Sequence, residues 1–331
     1  MSRFALTSLM LVLCLGVVPR DADAYVRSLV PGGSACLYWD TREITWYLND
    51  EGSSRIDDGT DIDAVIASFE TWNEPECSDL TFEFGGLTER SDIGYIEPPP
   101  SADPEEDDNV NLVVFRRDLC TDVVPSTDPC WDCYEPDFDG PCCSTVYDCW
   151  SHSPTAIAIT TTTFFTATGK LVDADIELNE ARYLFTTGDG PVCEQGPALA
   201  TCSSDADCGA DESCMMERCR TRGCVHTDIS NTVTHEVGHV IGLDHSPIPE
   251  ATMYASAGVG ETSKRSLHDN DIQGLCDIYP AGGPTLTCGG EEDEVPPTGC
   301  CGGGSGAMLL GLLPALMLTI NAGRRERRGR I

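Results

Sequence analysis

One stretch in the last third of the chain could do chemistry: His235-Glu236-Val237-Gly238-His239-Val240-Ile241-Gly242-Leu243-Asp244-His245. On a helix, His235 and His239 stand one turn apart on one face, with about 5–6 Å between their Cβ atoms. Two imidazoles so placed reach a single Zn2+ at about 2.0–2.1 Å. Glu236, one residue on, is rotated beside such a metal and not onto it, where a general base belongs. Gly242 can take a positive φ, end the helix and swing the chain round, so that His245 approaches as a third ligand. Three protein ligands leave a fourth position for water, which marks a catalytic zinc site and not a closed structural one. Zinc lowers the pKa of such a water from about 15.7 to near 7. Glu236 would take the proton as the water attacks a carbonyl, then hand it to the leaving amine. Three of the six histidines fall into this stretch, and the extended spacing is far more specific than HExxH alone. The others, His152, His226 and His268, lack ligand spacing and read as surface or structural. Asp244 reads as a brace for the turn.

The elements that must position these residues are legible as patterns. Asp228 to Ile241 is the helix that carries the first two histidines, and Ser266 to Tyr279 is the last helix. Upstream, Ile44 to Leu48 is a β-rich run. Asp61 to Trp72 has Ile62, Val65, Ile66, Phe69 and Trp72 at spacings of three and four, an amphipathic helix with Asp61 as its cap. Leu80 to Phe84 alternates as a second strand, and Val110 to Phe115 is a third, apolar enough to be buried. Ala156 to Phe165 and Lys170 to Leu178 pair through a hairpin at Thr168-Gly169. Residues 97–109 are Pro-rich and acidic, a solvated loop.

The chain has 331 residues, room for two average domains or one with large insertions. Its 55 Asp+Glu against 20 Lys+Arg, a net charge of −35, exclude a general nucleic-acid binder, because phosphates need basic neutralisation. Nineteen cysteines are too many for a reducing cytosol unless they hold metal. Residues 118–152 and 193–224 carry six each, and with Cys14, Cys300 and Cys301 set aside 16 remain, enough for eight disulfides. Each bridge adds about 2–4 kcal/mol, which suits segments without an apolar core of their own. A zinc cluster is the alternative for 193–224, although no CxxC pair stands there. Cys130-Trp-Asp-Cys133 reads as a structural bridge in its acidic setting.

Both ends look like addresses. Arg3, the apolar run Phe4 to Val18 and Ala22-Asp23-Ala24 form a secretory signal cut before Tyr25; a membrane anchor would need about 20 apolar residues. At the other end, Cys300-Cys301 and three glycines precede Ala307 to Ile320 and a cluster of arginines that stays on the cytoplasmic side. This pattern resembles the C-terminal sorting tails of myxobacterial surface proteins; a simple membrane tail is the alternative. The chain is therefore expected to be secreted and sorted to, or transiently anchored at, the cell surface.

The histidine motif, with Met253 eight residues after His245 in "HSPIPEATMY", resembles the metzincin clan of zinc endopeptidases. Ser246 after the third histidine, with Pro249-Glu250-Ala251 ahead of the Met-Tyr pair, is similar to the matrixins, the matrix-metalloproteinase family, where astacins would carry Glu and adamalysins Asp. The resemblance covers roughly residues 35–280 and implies an α+β fold: a twisted, mainly parallel sheet with an antiparallel edge strand, an active-site helix and a small C-terminal subdomain. It implies one catalytic zinc on His235, His239 and His245, Glu236 as general base, Gly242 at the turn, and Met253 as an apolar floor. "DADIELNE" (Asp173 to Glu180) resembles the family's calcium strand, which would put Ca2+ on Glu177 and Glu180. Asp175 stands where the family carries a histidine of a structural zinc, Ala255-Ser256 replace a proline beside the pocket for the residue after the cut, and no cysteine-switch propeptide is evident.

The domain reading is a signal at 1–24, a catalytic domain at 25–280 with Cys-rich insertions at 118–152 and 193–224, an acidic Gly/Pro linker at 281–299 and a sorting segment at 300–331. The expected activity is exported zinc endopeptidase. Its partners are protein or peptide substrates lying along the edge strand near Ala156 to Thr163. No nucleic acid is expected, membrane contact comes only through the tail, and the chain is a monomer. Two rivals remain: a non-catalytic Cys-rich adhesion or interaction protein with a structural zinc, and a zinc hydrolase of small amides.

Overall fold

A computed structural model describes residues 25–95, 109–132 and 142–288. The expected signal and sorting segment, most of the acidic loop and most of the expected linker lie outside the described residues. Five strands form the main sheet: β1 (Glu43–Asn49), β2 (Thr81–Thr88), β3 (Asn111–Arg116), β4 (Ala158–Phe164) and β5 (Leu171–Asn179). Their order is β2-β1-β3-β5-β4. All pairs are parallel except β4 with β5, where Ala158 faces Leu178 and Thr163 faces Asp173. Three longer helices accompany the sheet: α1 (Thr60–Asn73), α2 (Ile229–Val240) and α3 (Asp269–Ile278). Among the described residues no helix is long and apolar enough to cross a membrane.

The period of two in β5 sorts its residues between faces. Ala174, Ile176 and Leu178 join the core with Val65, Phe69 and Trp72 of α1 and Val233, Val237 and Val240 of α2. Trp46 of β1 stacks on Phe69 at 3.8 Å between ring centroids. Each such side chain contributes roughly 1.5–3 kcal/mol when taken from water, so the helix side of the sheet is where α2 is fixed.

The opposite face of β5 is polar and equally buried. Asp175 accepts from the amides of Gly94 (2.6 Å) and Leu112 (2.9 Å). Glu177 accepts from Arg116 Nε (2.7 Å) and shares a hydrogen bond with His152 Nε2 (2.7 Å), while Arg116 also pairs with Asp148. Burial alone would push the Glu177 carboxyl up, but the Arg116 charge and the His152 hydrogen bond outweigh it and hold it at about 2. Glu180 accepts from Ser53 Oγ (2.5 Å) and the Ser54 amide (3.0 Å), with Arg55 at 3.6 Å. The calcium expected on Glu177 and Glu180 is thus corrected: both carboxylates are fully buried and already spent on protein donors and cations. Their alternation looks like a ligand row in sequence because a buried polar network and a cation site draw on the same residue types.

Disulfides tie the loops to this frame. Cys120–Cys149 and Cys130–Cys143 staple the segment covering the polar face. In the second Cys-rich stretch Cys193–Cys224 closes the neck, and Cys202–Cys214 and Cys208–Cys219 hold a hairpin of Glu212–Met215 against Arg218–Thr221. Cys202, Cys208 and Cys219 lie close together, yet each is in a bridge, so they form no zinc cluster. Cys36–Cys288 and Cys77–Cys276 join distant parts of the chain. The N-terminal residues Val26–Arg27 pair antiparallel with Leu243–Asp244, between the second and third histidines.

Candidate active site

α2 is capped at both ends by side chains. Asp228 accepts from the Asn231 amide (2.7 Å) at its start and is itself held by Arg265 Nε (2.9 Å). Near its end, where carbonyls lack helical partners, Val240 O accepts from Trp39 Nε1 (2.8 Å) and Ile241 O from the Tyr279 hydroxyl (3.0 Å). Trp72 of α1 donates to Thr234 O (2.9 Å) in mid-helix. Gly238 is where Met253 fits: a Cβ there would lie 2.1 Å from the Met253 sulfur. Met253 is buried directly against the helix.

The chain then turns at Gly242, whose φ is +89°; a Cβ there would meet Leu37 O at 2.4 Å. Ser28 fastens the turn, its amide donating to Gly242 O (2.9 Å) and its hydroxyl to Leu243 O (3.0 Å). Asp244 Oδ1 accepts from the His245 amide (2.7 Å). The result brings three rings together, with centroids 5.0 Å apart for His235–His239, 5.3 Å for His235–His245 and 4.9 Å for His239–His245.

Their nitrogens suit a metal ion. His235 Nδ1 donates to Thr252 O (2.6 Å) and His239 Nδ1 to Leu243 O (2.8 Å), which fixes the tautomer and leaves each Nε2 with a lone pair. Nε2 of His239 and of His245 are buried with no hydrogen-bond partner, a costly state unless something else binds them. One ligand atom from each histidine lies within 4.8 Å of the others. Burial drives all three imidazoles below their ordinary pKa, His239 to about 4, so they are neutral, the ligand form. The donor set therefore fits a zinc-type ion.

Glu236 is buried beside this group. Its Oε2 accepts from Thr160 Oγ1 (2.7 Å), and Thr160 belongs to the edge strand β4. Burial pushes the carboxyl up to about 7 against that hydrogen bond. The turn around Met253 is held from α3: Asp271 accepts from the amides of Thr252 (2.7 Å) and Met253 (3.2 Å). Ser246 donates from its amide to Met253 O (2.8 Å) and from its hydroxyl to Asn270 Oδ1 (3.1 Å). Of the other histidines, His152 serves Glu177 and His268 caps α3 by accepting from the Asn270 amide. Sequence reasoning missed Thr160, Thr252 and Asp271. Only Asp271 left a signal, an acid in the first turn of a helix.

Comparison with known proteins adds a family likeness. Residues 155–280 match the peptidase family model described as Matrixin. The chain is 41% identical over 46 residues to matrilysin of Homo sapiens, covering 14% of this chain and 17% of that protein. It is 37% identical over 71 residues to neutrophil collagenase of Homo sapiens, covering 22% and 15%. With matrix metalloproteinase-9 of Canis lupus familiaris it shares 44% identity over 45 residues, 14% of this chain and 6% of that protein. The chain thus spans less than a fifth of the length of these relatives.

Proposed function

We propose that this chain is an exported zinc endopeptidase whose centre is held by His235, His239 and His245, with Glu236 as general base. The observation that carries the reading is the convergence of three neutral imidazoles, two with buried and unpartnered Nε2 atoms, next to a buried carboxylate. Zinc bound there would polarise a peptide carbonyl and acidify a water. Thr160 holds Glu236 Oε2, which leaves Oε1 to take the proton of the attacking water and carry it to the leaving nitrogen. The Thr252 and Leu243 carbonyls keep His235 and His239 in the ligating orientation. Among the described residues β4 pairs only with β5, so its other edge is open beside Glu236. An extended substrate added along that edge would bring its peptide bonds past the carboxylate. The matrixin match and the dense disulfides support the peptidase class and an extracellular setting.

The test uses the purified chain loaded with one equivalent of zinc, a proteome-derived peptide library, a chelator and Glu236→Ala. Internal cuts that vanish with chelator and in the variant are expected. A zinc-loaded chain that cuts nothing, or whose Glu236→Ala form cuts equally well, overturns the reading. A non-catalytic surface module with a structural zinc would call for a fourth side-chain ligand; the described group has three. A hydrolase of small amides would leave the library intact while releasing small products.

A further inference from the structure

The turn between the second and third histidines is not held by α2 alone. Residues 26–37 form a small hairpin: Leu29 bridges to Cys36, the Val30 amide donates to Ala35 O (2.9 Å) and the Leu37 amide to Ser28 O (2.9 Å). One arm pairs Val26–Arg27 with Leu243–Asp244. From that arm the Ser28 hydroxyl donates to Leu243 O (3.0 Å), the same carbonyl that accepts from His239 Nδ1 (2.8 Å). A carbonyl oxygen can accept twice, and this one joins Ser28 to an imidazole of the histidine group. The other arm backs the turn directly, with Leu37 O against Gly242.

What fixes the hairpin comes from far along the chain. A two-stranded piece this short is marginal by itself. Cys36 is bridged to Cys288 across 252 positions. Arg27 works in parallel with the bridge: its guanidinium donates to Leu37 O (2.7 Å) and to Leu286 O (3.1 Å), two residues before Cys288. The Leu286 amide donates in turn to Ile278 O (2.9 Å) at the end of α3. From Cys288 to His239 the path runs through Cys36, Leu37, Ser28 and Leu243, and every step is a covalent or a hydrogen bond. Cys36 is buried and Cys288 half-buried, so a small thiol reaches the bridge from the Cys288 side.

We propose that the Cys36–Cys288 bridge is a redox-dependent brace of the metal centre: once formed, it holds the hairpin against the Gly242–Leu243 turn through Ser28 and so raises the affinity of the three histidines for zinc. The two thiols lose two protons and two electrons to a disulfide oxidant such as glutathione disulfide, which leaves as two glutathione thiols. A chain still reduced at this pair loads zinc poorly, and full loading follows oxidation. By linkage, zinc stabilises the bridge by the same factor. The inference rests on the zinc part of the proposed function and not on peptide hydrolysis.

Zinc affinity is measured by chelator competition in the oxidised full chain, in Cys36→Ser/Cys288→Ser, in Ser28→Ala and in the three substitutions together. The bridge variant and Ser28→Ala are each expected to weaken zinc binding about tenfold. The triple variant is expected to lose little more than either, because both act on one path. Cys202→Ser/Cys214→Ser, which opens a bridge of the second Cys-rich stretch, is expected to bind as wild type. In wild type equilibrated with glutathione buffers, alkylation and mass spectrometry read the reduced fraction of each bridge. Free zinc buffered to fill the histidine site is expected to shift the Cys36–Cys288 equilibrium about tenfold and to leave Cys202–Cys214 in place; this measurement decides if the bridge variant fails to fold. Zinc held equally tightly without the bridge, losses that simply add, an equal loss in the Cys202→Ser/Cys214→Ser control, or a Cys36–Cys288 equilibrium indifferent to zinc overturns the proposal and leaves the centre standing. A chain that takes up no zinc in any form overturns the centre, and the proposal with it.

Discussion

Asp271 and His235 do not touch, yet a single peptide group joins them. The Met253 amide donates to Asp271 Oδ1 at 3.2 Å, and the Thr252 carbonyl of that same group accepts from His235 Nδ1 at 2.6 Å. A carboxylate on α3 thereby orients an imidazole on α2. Asp271→Ala should lower zinc affinity by about 10–100-fold, the usual effect of losing a ligand's supporting partner. Competition with a coloured chelator measures this directly; an affinity equal to wild type would show that the Thr252–Met253 turn stands without α3.

The turn at Gly242 makes a sharper demand. Any side chain there faces both a left-handed backbone and the Leu37 carbonyl at 2.4 Å. Gly242→Ala is expected to cost more than about 2 kcal/mol in urea unfolding and to displace His245. Zinc stoichiometry in the folded variant should drop below one; full loading with unchanged stability would contradict this account of the turn.

Glu236→Gln keeps the size of the side chain and a carbonyl oxygen for Thr160 but cannot take a proton. Catalytic efficiency should fall by about 10²–10⁴-fold with zinc content intact. A loss that tracks loss of metal would assign Glu236 a structural role instead.

Acid should act on the far side of the sheet. Glu177 sits at about 2 in the folded protein, below its ordinary value of 4.5. Its folded pKa is depressed, so its contribution is complete above pH 4.5 and is lost as pH falls towards 2. The difference corresponds to roughly 3 kcal/mol. Glu177→Gln should flatten the fall in unfolding free energy across that window; a variant whose acid limb overlays wild type would refute the assignment. Asp175 works in the opposite sense, because burial, followed by the nearby Asp173 charge, raises its carboxyl well above the usual range. Its contribution is present in acid and declines as pH rises.

The sequence made some of this legible and hid the rest for identifiable reasons. Helix α1 follows from the three-four spacing of Val65, Phe69 and Trp72, which all end in the core. The β4–β5 hairpin follows from two Thr- and Ile-rich runs around Thr168-Gly169. The three histidines meet because their spacing needs only one helix and one glycine turn, both local. What stayed hidden was nonlocal: Thr160 reaches Glu236 across 76 positions, and Ser28 reaches Leu243 across 215. The polar row of β5 misled in the other direction. Glu177 resembles a cation ligand until Arg116 and His152 arrive from separate segments to occupy it.

The bridge Cys77–Cys276 joins the loop after α1 to α3 across 199 positions. The endopeptidase proposed above would be exposed to its own kind, and surface loops are the places where a first nick falls. Any single cut between residues 77 and 276 leaves two fragments covalently attached, with α2 still held against α1 and α3. Nicked molecules would therefore migrate as intact chain until a reductant is added, and accumulated damage would stay invisible on a non-reducing gel.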